Sequence, residues 1–419
     1  MFNTMRNCSK SWVLFKNHNY ITYIVIGAIL QIISLFRNYP RDHPCGKVFS
    51  LHDNLSVLIN CDSAVFMKDA QDPSRLFDGR SVYQDRPLPT MLVSLAAKAW
   101  HMFKLPDQYR NVIGNSGQIT NYSLVTYLFF LIMNLVVFVV TCWMIVKILK
   151  NLFDRYQINT IYFPPVTILA ILVVSLNEIT KTFFWTPHSQ MFNLLLPVYL
   201  FYLLQHSGVK IDTKFYFFSC SILLLLIFSY AFFILSAIPL LLVSWKSIKV
   251  RAFVLTLVLA TYFSYPFLIE VLGGNFYSLG LERYRLFVWI FDTLKGDVGA
   301  PTITANFTEF LKTFPTIPVI FLFLGFMFIL LMKKLTLSQV FNPIKREMYL
   351  FLLYFIFLAS YGYYARRLTY PLIIFLFLMV LKTFVINLNT IKNPKLNLMF
   401  YLLVGFILIS WIYTNGPLV

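Results

Sequence analysis

Charge is scarce in this sequence. Only 12% of its 419 residues are Asp, Glu, Lys or Arg, against 58% hydrophobic and 18% aromatic, where a soluble domain carries about a quarter charged residues. A water-soluble globular class is excluded, and the composition is that of an integral membrane protein. Acids are the scarcer sign, 17 against 35 bases, for a formal net charge of +18. No Cys/His spacing of the metal-binding type occurs among the five cysteines and six histidines. The basic lead runs into an apolar stretch with no small-residue cleavage site, so that stretch is expected to be a first anchor and not a removed signal peptide. No repeat relates one half of the chain to the other, which weighs against a transporter or flippase built from related halves with broken mid-membrane helices.

What is present is a succession of apolar runs near the ~20 residues that cross a bilayer. Eleven transmembrane helices are expected, at 20–36, 123–146, 161–177, 190–205, 214–229, 231–245, 252–272, 316–332, 347–364, 368–385 and 397–414. The run 214–245 is too long for one ordinary crossing, and Ser229-Tyr230 and Pro239 offer breaks, so it is split into a hairpin. With that split, the turns holding Lys147/Lys150/Arg155, Lys210/Lys214, Lys246/Lys249/Arg251, Lys333/Lys334/Lys345/Arg346 and Lys382/Lys392/Lys395 share a side with Arg6, Lys10 and Lys16. This is the positive-inside pattern. It puts the N-terminus in the cytoplasm and the C-terminus outside. The excess of positive charge is then a matter of topology and contact with anionic lipid, and no nucleic-acid partner is expected.

The fold class read here is therefore an all-α integral membrane protein, a single polytopic domain over 1–419. It has a large external first loop, 37–122, and a second external loop, 273–315. Loops of the first one's size without a reason are uncommon. That loop gathers Asp53, Asp62, Asp69, Asp72, Asp78 and Asp85, while only Asp154, Asp212 and Glu347 fall on the inner side. From Leu88 to Phe103 the spacing puts Leu88, Leu92, Leu95, Ala99 and Phe103 on one side, with Lys98 and His101 at polar positions. An amphipathic helix on the membrane surface is expected there, and a second from about Asp62 to Asp69. Cys45 and Cys61, both in this loop, either close a disulfide in an oxidising compartment or stay as thiols.

Three patches carry a family resemblance. Cys61-Asp62-Ser63-Ala64-Val65-Phe66 followed by Tyr83-Gln84-Asp85-Arg86-Pro87-Leu88-Pro89, Ser229-Tyr230-Ala231-Phe232 through Pro239-Leu240-Leu241, and Ala365-Arg366-Arg367-Leu368-Thr369-Tyr370-Pro371 are similar to stretches of the GT-C superfamily of polytopic membrane glycosyltransferases. The first resembles the opening external loop of that superfamily, the last the arginine-bearing start of a late span. The resemblance implies a lipid-linked sugar donor. It departs from many members in having a single Asp62 where an acidic pair is often seen, and in lacking a soluble C-terminal domain, so divalent-cation use and subfamily stay open.

Independent chemistry points the same way. An outward-facing site has no nucleotide sugar, so its donor must arrive on a lipid phosphate such as a polyprenyl phosphate. A carboxylate would then take the acceptor's proton, and a cation would hold the phosphate as it leaves. Asp62 is the first candidate base and Asp69, seven residues on, the second. Arg366 and Arg367, in a short external turn against the positive-inside trend, are candidate phosphate ligands. Each has a structural reading beside the functional one. Asp62 suits a helix N-cap, the arginines suit lipid headgroups, and Arg86 suits a loop aspartate as well as a phosphate. His188 and Glu178, in the second external turn, read as substrate contacts or as interfacial hydrogen-bonding residues. Glu282-Arg283-Tyr284-Arg285 reads as a solvated helix face. The acceptor is a lipid, a glycan or a protein, membrane lipids are the other partners, and a polymerase or ligase of lipid-linked glycans is the nearest alternative chemistry. The short loops favour a bacterial inner membrane with the site facing the periplasm.

Overall fold

The computed structural model describes residues 20–33, 46–52, 55–81, 84, 86–113, 119–177, 180, 183–206, 213–242, 248–274, 289–296, 303–314, 341–360 and 366–388. The expected spans 316–332 and 397–414, Cys45, the side chain of Cys61, Glu178, Asp85 and the Glu282–Arg285 stretch lie outside them, as do the side chains of Arg366 and Arg367.

The described residues are predominantly helical. In chain order the helices are α1 (Tyr20–Ile33), α2 (Cys61–Gln71), α3 (Pro87–Met102), α4 (Leu124–Arg155), α5 (Phe163–Ser175), α6 (Phe192–His206), α7 (Thr213–Ser229), α8 (Ala237–Leu242), α9 (Ile248–Val271), α10 (Trp289–Lys295), α11 (Ile303–Lys312), α12 (Lys345–Ser360) and α13 (Arg366–Asn387). The all-α expectation needs one amendment. The first loop also holds two antiparallel ribbons, β1 (Gly46–His52) with β2 (Leu55–Asn60) and β3 (Tyr109–Ile113) with β4 (Ile119–Ser123). Their sequences are rich in Val, Ile, Leu, Phe and Tyr, largely the β-branched and aromatic residues that strands favour.

Among the described residues three helices are long and apolar enough to cross a membrane, at Leu124–Arg155, Arg251–Val271 and Leu368–Asn387. Others are shorter: α1 has 14 residues, or roughly 21 Å against the ~30 Å of hydrocarbon. The expected hairpin over 214–245 breaks at the expected place. Its second arm is irregular, however, being a 3-10 segment, Ala231–Ser236, that passes into the six-residue α8. Starting the α-helix at Ala237 puts Pro239 in the first turn, where its missing N–H costs nothing.

Helix directions can be read from polar and aromatic contacts. Asn134, early in α4, donates to the carbonyls of Phe183, Phe184 and Thr186 just ahead of α6. Arg155, at the end of α4, reaches the Gln205 carbonyl at the end of α6, 2.8 Å away. The two helices are therefore parallel. Tyr23 meets Phe163 at one end and Gln31 donates to the Ser175 carbonyl at the other, so α1 and α5 are parallel, while Lys147 of α4 lies over Tyr20 at the start of α1. Glu347 at the start of α12 binds Lys382 near the end of α13 at 2.6 Å, making those two antiparallel. Arg155, Gln205, Glu347 and Lys382 thus gather at one end of the bundle, the end the positive-inside reading calls cytoplasmic. Gln31, Ser175, Trp185 and Tyr127 gather at the other.

The first loop is clamped to that second end. Ser123 caps α4, accepting from the Thr126 amide, and Asp107 accepts from Ser123 Oγ and from the Val125 amide. The acid-rich segment after α2 docks on the end of α9, where Tyr265 donates to the Leu76 carbonyl at 3.2 Å. There Gly273 adopts φ +73°, and the amides of Gly273 and Gly274 close on Glu270 and Ile269 in a Schellman ending. A Cβ on Gly274 would lie 2.2 Å from the Phe77 carbonyl oxygen, so only glycine permits this approach.

The expected surface helix is α3, and its faces are inverted relative to a soluble helix. Thr90, Val93, Ser94 and Ala97 are buried against the protein, while Leu92, Leu95, Met102 and Phe103 are 52%, 63%, 82% and 77% exposed. Small residues turned to the protein and large apolar ones turned away suit a helix lying in a lipid interface. The second expected helix is α2, but Phe66, Met67 and Ala70 pack it into a core with Val93, Tyr127 and Phe130. It is an internal element, not a surface one.

Candidate functional site

Asp62 stands in the first turn of α2, part-exposed, with its Oδ2 3.4 Å from Nε2 of His188. His188 is wholly buried, its ring held between Phe66 and Phe183 at centroid distances of 4.8 and 5.0 Å. Its other nitrogen, Nδ1, accepts the Gln190 amide at 3.1 Å. A neutral imidazole that accepts at Nδ1 carries its proton on Nε2, and that proton faces Asp62. The turn that does this is fixed from below. Besides the three carbonyls held by Asn134, the Trp185 carbonyl accepts from Tyr127 Oη at 2.8 Å, and the Trp185 indole donates to the Gln31 carbonyl at 3.0 Å.

The next residue of the same turn brings in a cation. Arg86, at the N-cap of α3, has its Nη1 3.4 Å from Ser189 Oγ, and its guanidinium lies 4.9 Å above the Tyr230 ring. Tyr230 is the residue at which α7 gives way to the 3-10 segment. A carboxylate and a guanidinium, one from α2 and one from α3, therefore meet adjacent residues of one rigid turn, whose Cα atoms are ~3.8 Å apart.

A lateral groove opens next to this pair. It has a volume of about 500 Å³ and runs between α3, α4, α6 and α7. Pro89, Phe192 and Ser229 are among its lining residues, close in sequence to Arg86, Ser189 and Tyr230. Farther along, Val140 and Trp143 of α4 and Tyr199 of α6 line it, all carbon-rich surfaces.

The other sequence candidates fall elsewhere. Asp69 is fully buried, with Oδ1 2.8 Å from Arg75 Nε and Oδ2 accepting from Ser81 Oγ. Both its oxygens are engaged inside the loop. Burial pushes its carboxyl above the usual range, while the Ser81 and Arg75 hydrogen bonds oppose that shift. At the loop surface, Arg80 bonds Asp78 and holds its carboxyl below the usual range. Arg366 and Arg367 open α13, at the end of the bundle away from the Glu347–Lys382 pair and so the same end as the site, and Thr369 one turn on bonds the Thr313 carbonyl just after α11. Among the described residues no three His, Cys, Asp or Glu side chains gather as a metal site.

Ser189, Gln190 and Asn134 are not among the sequence candidates, and Tyr230 stands there only as a break and within the second patch of resemblance. The polar run His188-Ser189-Gln190 after Pro187, and a lone Asn134 inside an apolar span, are signals that point to them. No protein-family model, no curated protein and no solved structure matches the chain.

Proposed function

We propose that this protein is a polytopic membrane glycosyltransferase that moves a sugar from a polyprenyl-phosphate donor to a lipid, glycan or protein acceptor at the outer face of a bacterial inner membrane. The observation that carries the reading is the meeting of Asp62 and Arg86 on the adjacent residues His188 and Ser189, near an apolar groove whose lining includes Pro89, Phe192 and Ser229. A carboxylate and a cation beside an apolar channel are the tools that transfer from a lipid phosphate needs.

In this reading the acceptor hydroxyl loses its proton to Asp62 as its oxygen attacks the anomeric carbon. The bond from that carbon to the phosphate oxygen breaks, and its electron pair leaves on the lipid phosphate. Arg86 stabilises the charge that develops there. One displacement inverts the anomeric centre. The Nε2–H of His188 orients the carboxylate, and Arg366 and Arg367 serve as further phosphate ligands at the same end of the bundle. The resemblance to the GT-C superfamily, the inward clustering of basic turns and the parallel and antiparallel helix pairs all support an eleven-span arrangement with a cytoplasmic N-terminus.

The test is transfer of a labelled sugar from the lipid donor by purified protein, measured beside donor binding. Asp62→Asn is expected to lose about 10²- to 10⁴-fold in turnover while still binding donor. Arg86→Gln and the double Arg366→Ala/Arg367→Ala variant are expected to raise KM for the donor as well as slow the reaction. Near-normal turnover of Asp62→Asn, or no transfer by the wild type from any polyprenyl-phosphate sugar, overturns the assignment.

A further inference from the structure

The lining of the groove near Arg86 has a definite length. On α4 its lining runs from Phe129 to Met144, which at 1.5 Å per residue is roughly 22 Å. One leaflet of a bilayer offers a chain about 15 Å of hydrocarbon depth, half of ~30 Å. The apolar part of α4 ends at Lys147, so the stretch from Val140 to Met144 belongs to the far leaflet. Chains of ordinary outer-leaflet lipids end before it. At the deep end the Trp143 indole packs on Tyr202, with ring centroids 6.4 Å apart. Lys147 Nζ sits 5.8 Å from the indole and 4.9 Å from the Tyr20 ring. Aromatic rings and a cation thus stand where the α4 lining ends.

We infer that this groove is a length gauge for the isoprenoid tail of the donor, with Trp143 as its stop. The inference rests on the proposed donor class and adds which part of it the protein measures. The tail descends from the phosphate at Arg86, passes under α3, and fills the groove as far as Trp143. That distance takes about four or five isoprene units, counting four backbone bonds of ~1.5 Å in each and allowing for the zigzag. Units beyond these leave through the open side into lipid. Tail recognition then ends within the first few units, and the rest of a longer tail touches only lipid.

The experiment uses the full-length protein in phosphatidylcholine nanodiscs. The probes are polyprenyl phosphates of two to eleven isoprene units, each with a diazirine at the tail terminus, and a phosphatidylcholine with a terminal diazirine for comparison. Crosslinks are mapped by mass spectrometry. The labelled position is expected to walk down α4 with tail length, reach Val140–Met144 at four or five units, and leave α4 for longer tails. The phosphatidylcholine probe is expected to stop short of Val140. In Trp143→Ala the deepest label should move toward Lys147 and appear with longer tails, whereas Trp143→Phe, which keeps a ring, should retain the wild-type pattern.

Equal labelling along α4 by tails of every length overturns the gauge, as does deep labelling by phosphatidylcholine, which would make the groove a lipid-filled gap. An unchanged pattern in Trp143→Ala removes Trp143 as the stop. Crosslinking needs no turnover. Length-dependent labelling without sugar transfer would sink the glycosyltransferase reading alone, and transfer without it would sink the gauge alone.

Discussion

Replacing Asn134 by leucine tests the turn on which the whole site depends. The Asn134 amide donates to the carbonyls of Phe183 at 3.0 Å, Phe184 at 3.1 Å and Thr186 at 2.9 Å. Leucine nearly keeps the volume, so little cavity forms, and the change isolates the hydrogen bonds. Two N–H hydrogens serve three acceptors, so two bonds' worth of stabilisation is lost. Removing a partner from a buried carbonyl costs about 1–3 kcal/mol. Hydrogen bonds between membrane helices average nearer 0.6 kcal/mol, because the unfolded reference finds other partners there. The Phe183 carbonyl also accepts the Thr186 amide at 3.3 Å and stays paired without Asn134, which holds the loss to the lower part of the range for two bonds. A loss of about 2–4 kcal/mol is expected. Equilibrium unfolding in mixed micelles measures it. The same turn carries His188 and Ser189, so transfer should fall on the order of 10- to 100-fold as Asp62 and Arg86 lose their fixed partners. A stability change below about 0.5 kcal/mol, with transfer intact, would refute the claim that Asn134 holds the turn.

Three further outcomes are expected. Lys382→Met should cost about 3–5 kcal/mol by stranding the buried Glu347 carboxylate, and the double variant with Glu347→Gln should recover most of that, as read by unfolding midpoints; additive losses would contradict a mutual pair. Asp69 has a raised carboxyl pKa in the folded loop, so its contribution to stability is present below the ordinary carboxylate value and lost as pH rises through the raised one. Proteolysis of the 73–81 segment should accordingly slow as pH falls through that window, and in Asp69→Asn this pH dependence should vanish. Gly274→Ala, which drives a methyl against the Phe77 carbonyl, should loosen the same segment from α9 and speed its cleavage while leaving the rest of the bundle folded; unchanged cleavage would show that the contact gives way cheaply.

Much of the frame was legible in the chain itself. Scarce charge and repeated apolar runs announce the class, because each residue's transfer free energy is a local property that composition adds up. The break at Ser229-Tyr230 and the start of α3, read at Leu88 and found at Pro87, were readable for the same reason. So was Asp62, as a carboxylate at the head of a helix in an acid-rich loop. The faces of α2 were not. Phe66 and Met67 look like a surface helix's apolar stripe until Val93 and Phe130 arrive from elements far along the chain.

Only the tertiary structure decided what each polar residue does. Asp62 and Asp69 share a face of α2 and have the same chemistry, yet one meets His188 at the bundle's end and the other is closed in by Arg75 and Ser81. Arg86 read first as the partner of a loop aspartate and second as a phosphate contact, until Ser189 and Tyr230, from two other elements, took up its guanidinium. Such meetings join residues more than a hundred positions apart, and no local propensity encodes them. Hydrophobicity and charge act on each segment alone and set which parts of the chain are helical and which end of the bundle they favour. The site comes from packing, because a hydrogen bond or an ion pair exists only once two distant segments share one place.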